Sequence, residues 1–217
     1  MAPFPTLLVC VFLASALVGV GASLTGRRAI LVVAKPLTTA LLFLVVGVPR
    51  GRFAWLIDLG LLFSLAGDVA LLFPSKNALL IGLAIFLGAH VSYIVAFSGV
   101  AEFSPPAAIA AVVMAGASAL LLRRLWAGAA GMRAPLVVYA AALSGMVTTA
   151  VAASATPAPL GVSLSAAVGA ACFYVGDASL AIDQFHRRFK LAPLLTLGVY
   201  WLGQLGIALA ARAAGAQ

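Results

Sequence analysis

The stretch "GLLFSLAGDVALLF", residues 60–73, places an aspartate in the middle of an otherwise apolar run. A similar stretch, "GAACFYVGDASLAI", occupies residues 169–182, so Gly-Asp recurs 109 residues further along the chain. A charged side chain at the centre of a membrane-spanning helix costs about 2.5–3.5 kcal/mol on insertion scales. Each of these aspartates therefore needs a partner, a wet cavity or a proton, and both are candidates for a functional site.

The composition indicates a membrane protein. The chain has 217 residues, of which 65% are hydrophobic and only 8% are charged, unlike an ordinary soluble domain. A helix needs about 20 mainly apolar residues to cross a bilayer. We predict an all-α polytopic membrane bundle, a single integral membrane domain over residues 1–217. The eight predicted transmembrane helices lie near residues 5–22, 29–47, 53–73, 78–98, 106–122, 135–153, 161–183 and 193–211.

The first apolar run also resembles a signal peptide, because small residues follow it. No basic residue precedes it, however, and the basic pair Arg27–Arg28 comes after it. We therefore expect a retained helix.

The net charge of +8 is distributed as an orientation signal. The positive-inside rule places the odd-numbered loops in the cytoplasm and both termini outside. The Ala- and Gly-rich composition favours a bacterial inner membrane, and the loop charges do not predict a nucleic-acid surface. Nine of the 13 basic residues fall in odd-numbered loops: Arg27, Arg28, Lys76, Arg123, Arg124, Arg133, Arg187, Arg188 and Lys190.

The two Gly-Asp stretches predict an internal duplication, with parallel four-helix halves at residues 1–105 and 106–217. The offset of 109 is half the chain length, and the aligned residues are Gly60/Gly169, Gly67/Gly176, Asp68/Asp177 and Leu71/Leu180. Repeats in membrane proteins often place the functional site at their interface. Lys35 aligns with Ser144 and His90 with Val199, which favours one asymmetric site.

Three ionisable residues fall at a similar predicted depth. At about 1.5 Å per residue, Lys35 and Asp177 lie roughly 9 Å from the end with the basic loops, and Asp68 roughly 7 Å. One lysine can neutralise one carboxylate, and the second aspartate would then keep its proton. A charged and a protonated carboxyl in one pocket suit general acid–base catalysis. The alternative is a structural ion pair that holds three helices together.

Further polar residues share helix faces with these candidates. His90 and Tyr93 lie on one face of the fourth helix, and Tyr200 and Gln204 on one face of the eighth. We expect them to support the site or bind substrate. A satisfied interior histidine and interhelical hydrogen bonds are the alternatives.

Other polar residues are predicted to be structural. Asp58 should extend toward Arg52, and Asp183 should pair with Arg187. For Tyr139 and Met146, core packing is preferred to pocket lining. No metal cluster, nucleophile motif or phosphate-binding glycine loop is evident, so we expect chemistry by carboxylates and water with no cofactor or metal.

Several motifs together resemble the lysoplasmalogenase-like, YhhN-type family of eight-helix membrane proteins. The resemblance covers nearly the whole chain in the expected order. Its motifs are "KPLTT" (35–39), "GLLFSLAGDVALLF" (60–73), "GLAIFLGAHVSYIVAF" (82–97), "GAACFYVGDASLAIDQF" (169–185) and "YWLGQLGIA" (200–208).

The resemblance implies hydrolysis of the vinyl ether bond of a lysoplasmalogen, giving a fatty aldehyde and a glycerophospho-headgroup. It implies a lysophospholipid substrate, surrounding membrane lipids and no nucleic acid. The implied catalytic pair is Asp68 and Asp177, and the implied supporting residues are Lys35, His90, Tyr93, Tyr200 and Gln204.

Two other functions use similar residues. A proton-coupled transporter of lipids or small molecules also carries Asp, Lys and His within the membrane. An intramembrane aspartyl protease needs two aspartates on facing helices, although the chain lacks the fuller Gly-x-Gly-Asp motif.

Overall fold

The computed structural model describes residues 3–155 and 160–215, which form a helical bundle. Eight helices are long and apolar enough to cross a membrane, as predicted. A π-helical segment, Leu194–Val199, leads directly into the last helix. The helices are α1 (Pro3–Leu24), α2 (Arg28–Val46), α3 (Gly51–Ala70), α4 (Lys76–Ser98), α5 (Pro105–Leu125), α6 (Arg133–Ser154), α7 (Leu160–Phe185) and α8 (Tyr200–Ala214).

The turn after α3 corrects one predicted boundary. The helix ends at Ala70, whereas the apolar run predicted helix to residue 73. Pro74 follows the apolar run, and the residue before a proline avoids the helical conformation. Ser75 then caps α4, with its hydroxyl oxygen accepting a hydrogen bond from the Ala78 N–H at 3.0 Å. The short turn places the end of α3 beside the start of α4.

Six helices surround the interior and two lie outside. Neighbours pack in the order α2, α3, α4, α6, α7 and α8, and α8 closes the ring by packing against both α2 and α3. α1 packs on α2 and the π-helical segment, while α5 packs mainly on α6. Ile109, Val112 and Leu120 of α5 are exposed apolar residues, as expected for a lipid-facing helix.

Glycines allow the closest helix pairs to form. A methyl group on Gly169 of α7 would lie 2.7 Å from the Gly203 carbonyl oxygen of α8. A methyl group on Gly60 of α3 would meet the Tyr93 ring of α4. Small residues let membrane helices approach closely, and here they bring each Gly-Asp helix against the next helix in the chain.

Candidate functional site

Asp68 lies on α3 and is almost completely buried. Its Oδ1 is 3.3 Å from the Lys35 ammonium. Its Oδ2 accepts hydrogen bonds from the Thr39 hydroxyl at 2.5 Å and the Tyr200 hydroxyl at 3.1 Å. The Trp201 indole N–H in turn donates to the Thr39 oxygen at 3.2 Å. Donors therefore face both carboxylate oxygens, an arrangement that suits an ionised aspartate.

Asp177 lies on α7 and has a different environment. Its Oδ2 accepts a hydrogen bond of 2.5 Å from the Tyr139 hydroxyl of α6. The His90 Nε2 of α4 is 3.7 Å from the same oxygen, beyond hydrogen-bond range. Within residues 3–155 and 160–215, neither His90 ring nitrogen has a hydrogen-bond partner. Asp177 thus receives one hydroxyl donor and no lysine.

Aromatic rings enclose His90 beside Asp177. Its ring centroid is 5.0 Å from that of Tyr139 and 4.9 Å from that of Phe173, both in edge-on geometry. Phe173 also packs edge-on against Tyr200, at 5.0 Å between centroids. The predicted histidine is therefore held against Asp177 by packing.

A directed hydrogen-bond chain ends at Asp68. The Tyr93 hydroxyl donates to Gln204 Oε1 at 2.7 Å, and Gln204 Nε2 donates to the Tyr200 oxygen at 3.3 Å. The Tyr200 hydroxyl is then free to donate to Asp68. Each donor points toward the carboxylate, so the chain joins α4 and α8 to α3 and supports a negative charge there.

Both acids face one cavity of about 450 Å³. Lys35, Phe86 and Tyr200 line it as well, and its mouth is bordered by Lys76 and Arg188. A narrow seam of about 30 Å³ adjoins the cavity between α4, α5, α6 and α7. The seam is lined mainly by leucine and alanine, and it touches Asp177 but not Asp68. The acids thus share a cavity, while only Asp177 also borders an apolar space.

The structure brings the predicted site residues together, some in the cavity wall and the others behind it. Lys35, Asp68, Asp177 and Tyr200 line the cavity. His90, Tyr93 and Gln204 are fully buried behind it.

Tyr139 and Thr39 are the polar contacts that the sequence analysis missed. Tyr139 is buried as predicted, but its hydroxyl binds Asp177, so the preference for a packing role alone was wrong. Met146 is fully buried, which confirms its packing role. Thr39 lies four residues after Lys35 on the same face of α2, a spacing that could have identified it.

Two predicted pairings are wrong. Asp183 Oδ1 accepts a hydrogen bond from the Phe189 N–H at 3.2 Å, and it makes no ion pair with Arg187. Asp58 makes no ion pair with Arg52, and its Oδ1 is buried with no hydrogen-bond partner in the part of the chain that the structure describes. In that same part, no three His, Cys, Asp or Glu side chains are grouped to hold a metal ion.

The fold and site define a class: polytopic membrane proteins with two acids from different helices around one cavity. The model of the YhhN family matches residues 30–211, a range that includes every predicted site residue. The chain belongs to the YhhN family.

Three relatives illustrate the similarity. "Lysoplasmalogenase TMEM86B" of Rattus norvegicus is 30% identical over 183 residues, covering 83% of this chain and 72% of the relative. The Homo sapiens protein of the same name is 31% identical over 173 residues, covering 78% and 69%. "Lysoplasmalogenase" of Mycobacterium tuberculosis is 38% identical over 144 residues, covering 63% of this chain and about half, 52%, of the relative. No solved structure matches the chain.

Proposed function

We propose that this protein hydrolyses the vinyl ether bond of lysoplasmalogens, producing a fatty aldehyde and a glycerophospho-headgroup. The names of its relatives and its family membership support lysoplasmalogen hydrolysis. The observation that carries the mechanism is the unequal environment of two carboxyl groups that face one cavity. Neither the family nor the relatives' names favour the transporter alternative.

Vinyl ether hydrolysis begins with proton transfer to an alkene carbon, which generates an oxocarbenium ion. The reaction therefore needs a carboxylic acid that holds its proton and a negative group that stabilises the cation. Asp68 fits the negative role, because Lys35, Thr39 and Tyr200 all direct donors at it. Asp177 fits the acid role, because Lys35 is paired with Asp68 and Asp177 receives a tyrosine hydroxyl instead.

The apolar seam gives a second reason to assign the proton to Asp177. The carbon that receives the proton belongs to the fatty chain, so the acid should lie where the chain enters. Asp177 borders the seam and Asp68 does not. Because the seam of about 30 Å³ has room for about one water, α5 would have to move outward for the chain to lie along the leucines of α4 to α6, with the ether oxygen facing the wider cavity.

The remaining steps restore both acids. Water adds to the cationic carbon, and ionised Asp177 takes the proton that the water loses. In the resulting hemiacetal, Asp68 removes the hydroxyl proton while Asp177 protonates the departing glyceryl oxygen. The carbon–oxygen bond breaks to give aldehyde and alcohol, and the proton on Asp68 passes back to Asp177. One water is consumed.

The test is an assay of the purified protein in detergent, without any ion gradient. We expect a lysoplasmalogen to yield aldehyde and glycerophospho-product in equal amounts. The matched control is the saturated ether lysolipid with the same headgroup, which has no alkene to protonate and should remain intact. Equal cleavage of both lipids would contradict the mechanism, and no turnover by folded protein would contradict the function.

We also propose that the bundle lies in a bacterial inner membrane with the basic loops in the cytoplasm. The excess of basic residues in the odd-numbered loops supports this orientation. The mouth of the acid cavity would then open on the cytoplasmic side, where the headgroup product could leave. Labelling of single cysteines placed at Lys76 and Arg50 in intact cells tests it: only the residue-50 site should react with an impermeant reagent.

A further inference from the structure

A second cavity of about 630 Å³ adjoins the acid cavity. Its walls come from the end of α1, the first half of α2, the turn after α3, the end of α7, the segment that follows α7 and the π-helical segment. The two cavities have lining residues in common: Lys35, Leu71, Leu180, Arg188, Thr196 and Leu197. The second cavity, here called the basic chamber, is therefore next to the proposed reaction site.

The chamber has more positive than negative side chains. Arg28, Arg188, Lys190 and Lys35 line it, and Asp183 is the one acidic residue in its wall. Lys35 is already paired with a carboxylate of the acid cavity. In the part of the chain that the structure describes, the other three cations make no ion pair with a carboxylate. The chamber thus offers unneutralised positive charge beside apolar walls.

The local contacts leave this charge available. Arg28 donates one hydrogen bond, of 3.1 Å, to the Leu72 carbonyl oxygen, which holds its side chain across the chamber wall. Asp183 Oδ1 is engaged by a backbone N–H of the following segment. Among the described residues, Arg28, Arg188 and Lys190 outnumber the one carboxylate of the wall, so a negatively charged ligand would meet a net positive charge.

Only certain arginines of the basic loops line the chamber. The chain has three adjacent arginine pairs in odd-numbered loops, Arg27–Arg28, Arg123–Arg124 and Arg187–Arg188. Arg28 and Arg188 line the chamber, and their neighbours Arg27 and Arg187 do not. Membrane orientation depends on basic charge in a loop and does not distinguish neighbouring positions. The orientation signal therefore does not account for the convergence of Arg28 and Arg188 on one space.

We propose that the basic chamber binds the phosphate ester of the substrate headgroup. This inference rests on the proposed function and specifies its substrate class. Guanidinium groups match phosphate oxygens with paired, charge-assisted hydrogen bonds, and Arg28 and Arg188 are exposed and accessible to such a ligand. A lipid with its ether bond in the acid cavity would extend its glycerophosphate past Lys35 and Arg188 into the chamber. A neutral alkenyl glycerol would lack this contact.

The kinetic test compares the two members of each arginine pair. Arg28→Gln and Arg188→Gln should each raise KM for a lysoplasmalogen about tenfold with little change in kcat, the loss expected for one charged hydrogen bond. Arg27→Gln and Arg187→Gln remove the same charge from the same loops and should change KM less than twofold. The difference within each pair should disappear on neutral 1-alkenylglycerol. Equal effects within each pair on the lysoplasmalogen, or the same difference within each pair on the neutral substrate, would overturn the proposal.

A binding test separates the chamber from catalysis. The probe is a saturated ether lysophospholipid, titrated into the protein in nanodiscs of zwitterionic lipid. We expect Arg188→Gln to weaken binding about tenfold and Arg187→Gln to leave it unchanged. That result would support the chamber even if no hydrolysis were detected, in which case only the proposed function would fail. Hydrolysis with equal binding by both variants would overturn the chamber alone.

Competition identifies the source of the phosphate. A soluble glycerophosphodiester should displace the probe, because it carries the same ester without the chain. Displacement by inorganic phosphate with no effect of the diester would indicate a free-phosphate site and overturn the proposal. Loss of probe binding in nanodiscs that contain anionic phospholipid, with no effect of the diester, would indicate a bulk-lipid site and also overturn it.

Discussion

α3 and α7 carry the same Gly-Asp pair but surround its carboxyl group differently. On α3, Asp68 faces a lysine and two hydroxyl groups. On α7, Asp177 faces one tyrosine hydroxyl and a histidine whose ring nitrogens have no hydrogen-bond partner among the described residues. The difference comes from the side chains on neighbouring helices: Lys35, Thr39 and Tyr200 around Asp68, and Tyr139 and His90 around Asp177. Two acids of one cavity can thus differ in charge because each has its own set of donors.

α3 and α7 share the way in which the glycine before each aspartate packs against another helix. Gly67 sits against the Phe86 ring of α4, and Gly176 sits against Tyr200 of α8. Each glycine immediately precedes its aspartate, so close approach of the next helix and placement of the acid are coupled. This correspondence supports the predicted duplication, which we retain as a proposal.

The most severe test of the comparison replaces each acid by its uncharged isostere. Asp177→Asn removes the proposed proton donor, and Asp68→Asn removes the charge that stabilises the cation. Each should reduce kcat by about 10²–10⁴-fold, the range for a positioned acid or base. The rate of aldehyde release by the purified variants measures the effect, with Glu102→Gln, at an exposed acid outside both cavities, as the control. Full activity of both folded variants would contradict the acid–base mechanism.

Lys35→Met tests whether the ion pair only holds helices together. It leaves the buried Asp68 charge without its cation, so we expect unfolding in detergent to become easier by about 3–5 kcal/mol, and activity to fall about 100-fold. In the double variant Lys35→Met/Asp68→Asn, stability should largely recover while activity stays low. Recovery of both would support a structural pair and contradict a catalytic role for Asp68.

The two tyrosines that bind the acids should differ in importance. Tyr139→Phe removes the one hydroxyl donor to Asp177, which must carry negative charge after it gives up its proton. We expect kcat to fall about 10–100-fold. Tyr200→Phe leaves two other donors on Asp68 and should cost about tenfold or less. The measurement is kcat of both variants at saturating lysoplasmalogen. A larger effect of Tyr200→Phe would contradict the assignment of the proton to Asp177.

The sequence predicted the helices and most site residues, because apolar length and isolated polar residues are local features. It placed Lys35 with the acids because helix rise fixes depth. It missed the Tyr139–Asp177 hydrogen bond because the sequence does not show which face of α6 meets α7, and a tyrosine in an apolar span most often serves packing. The wrong Asp183–Arg187 pairing has a similar cause, since the turn after α7 brings the Phe189 N–H to the carboxylate.

The smallest expected effects come from adding one methyl group at each Gly-Asp pair. In Gly176→Ala the new carbon would lie 2.8–3.0 Å from Cβ, Cα and N of Tyr200, and a helix backbone cannot move locally. In Gly67→Ala it would lie 2.6 Å from the Phe86 ring, which can rotate. We expect Gly176→Ala to destabilise by about 1–3 kcal/mol and Gly67→Ala by less.

Gly21→Ala provides the matched control, because no atom outside its own helix lies within 4 Å of the added carbon. It should be neutral or slightly stabilising, since alanine restricts the unfolded chain. Thermal unfolding in one detergent compares the three variants. Because Tyr200 also binds Asp68, the Gly176→Ala shift should lower activity through the opposite acid as well. Unchanged stability in Gly176→Ala would mean that α7 and α8 are less tightly packed than the structure indicates.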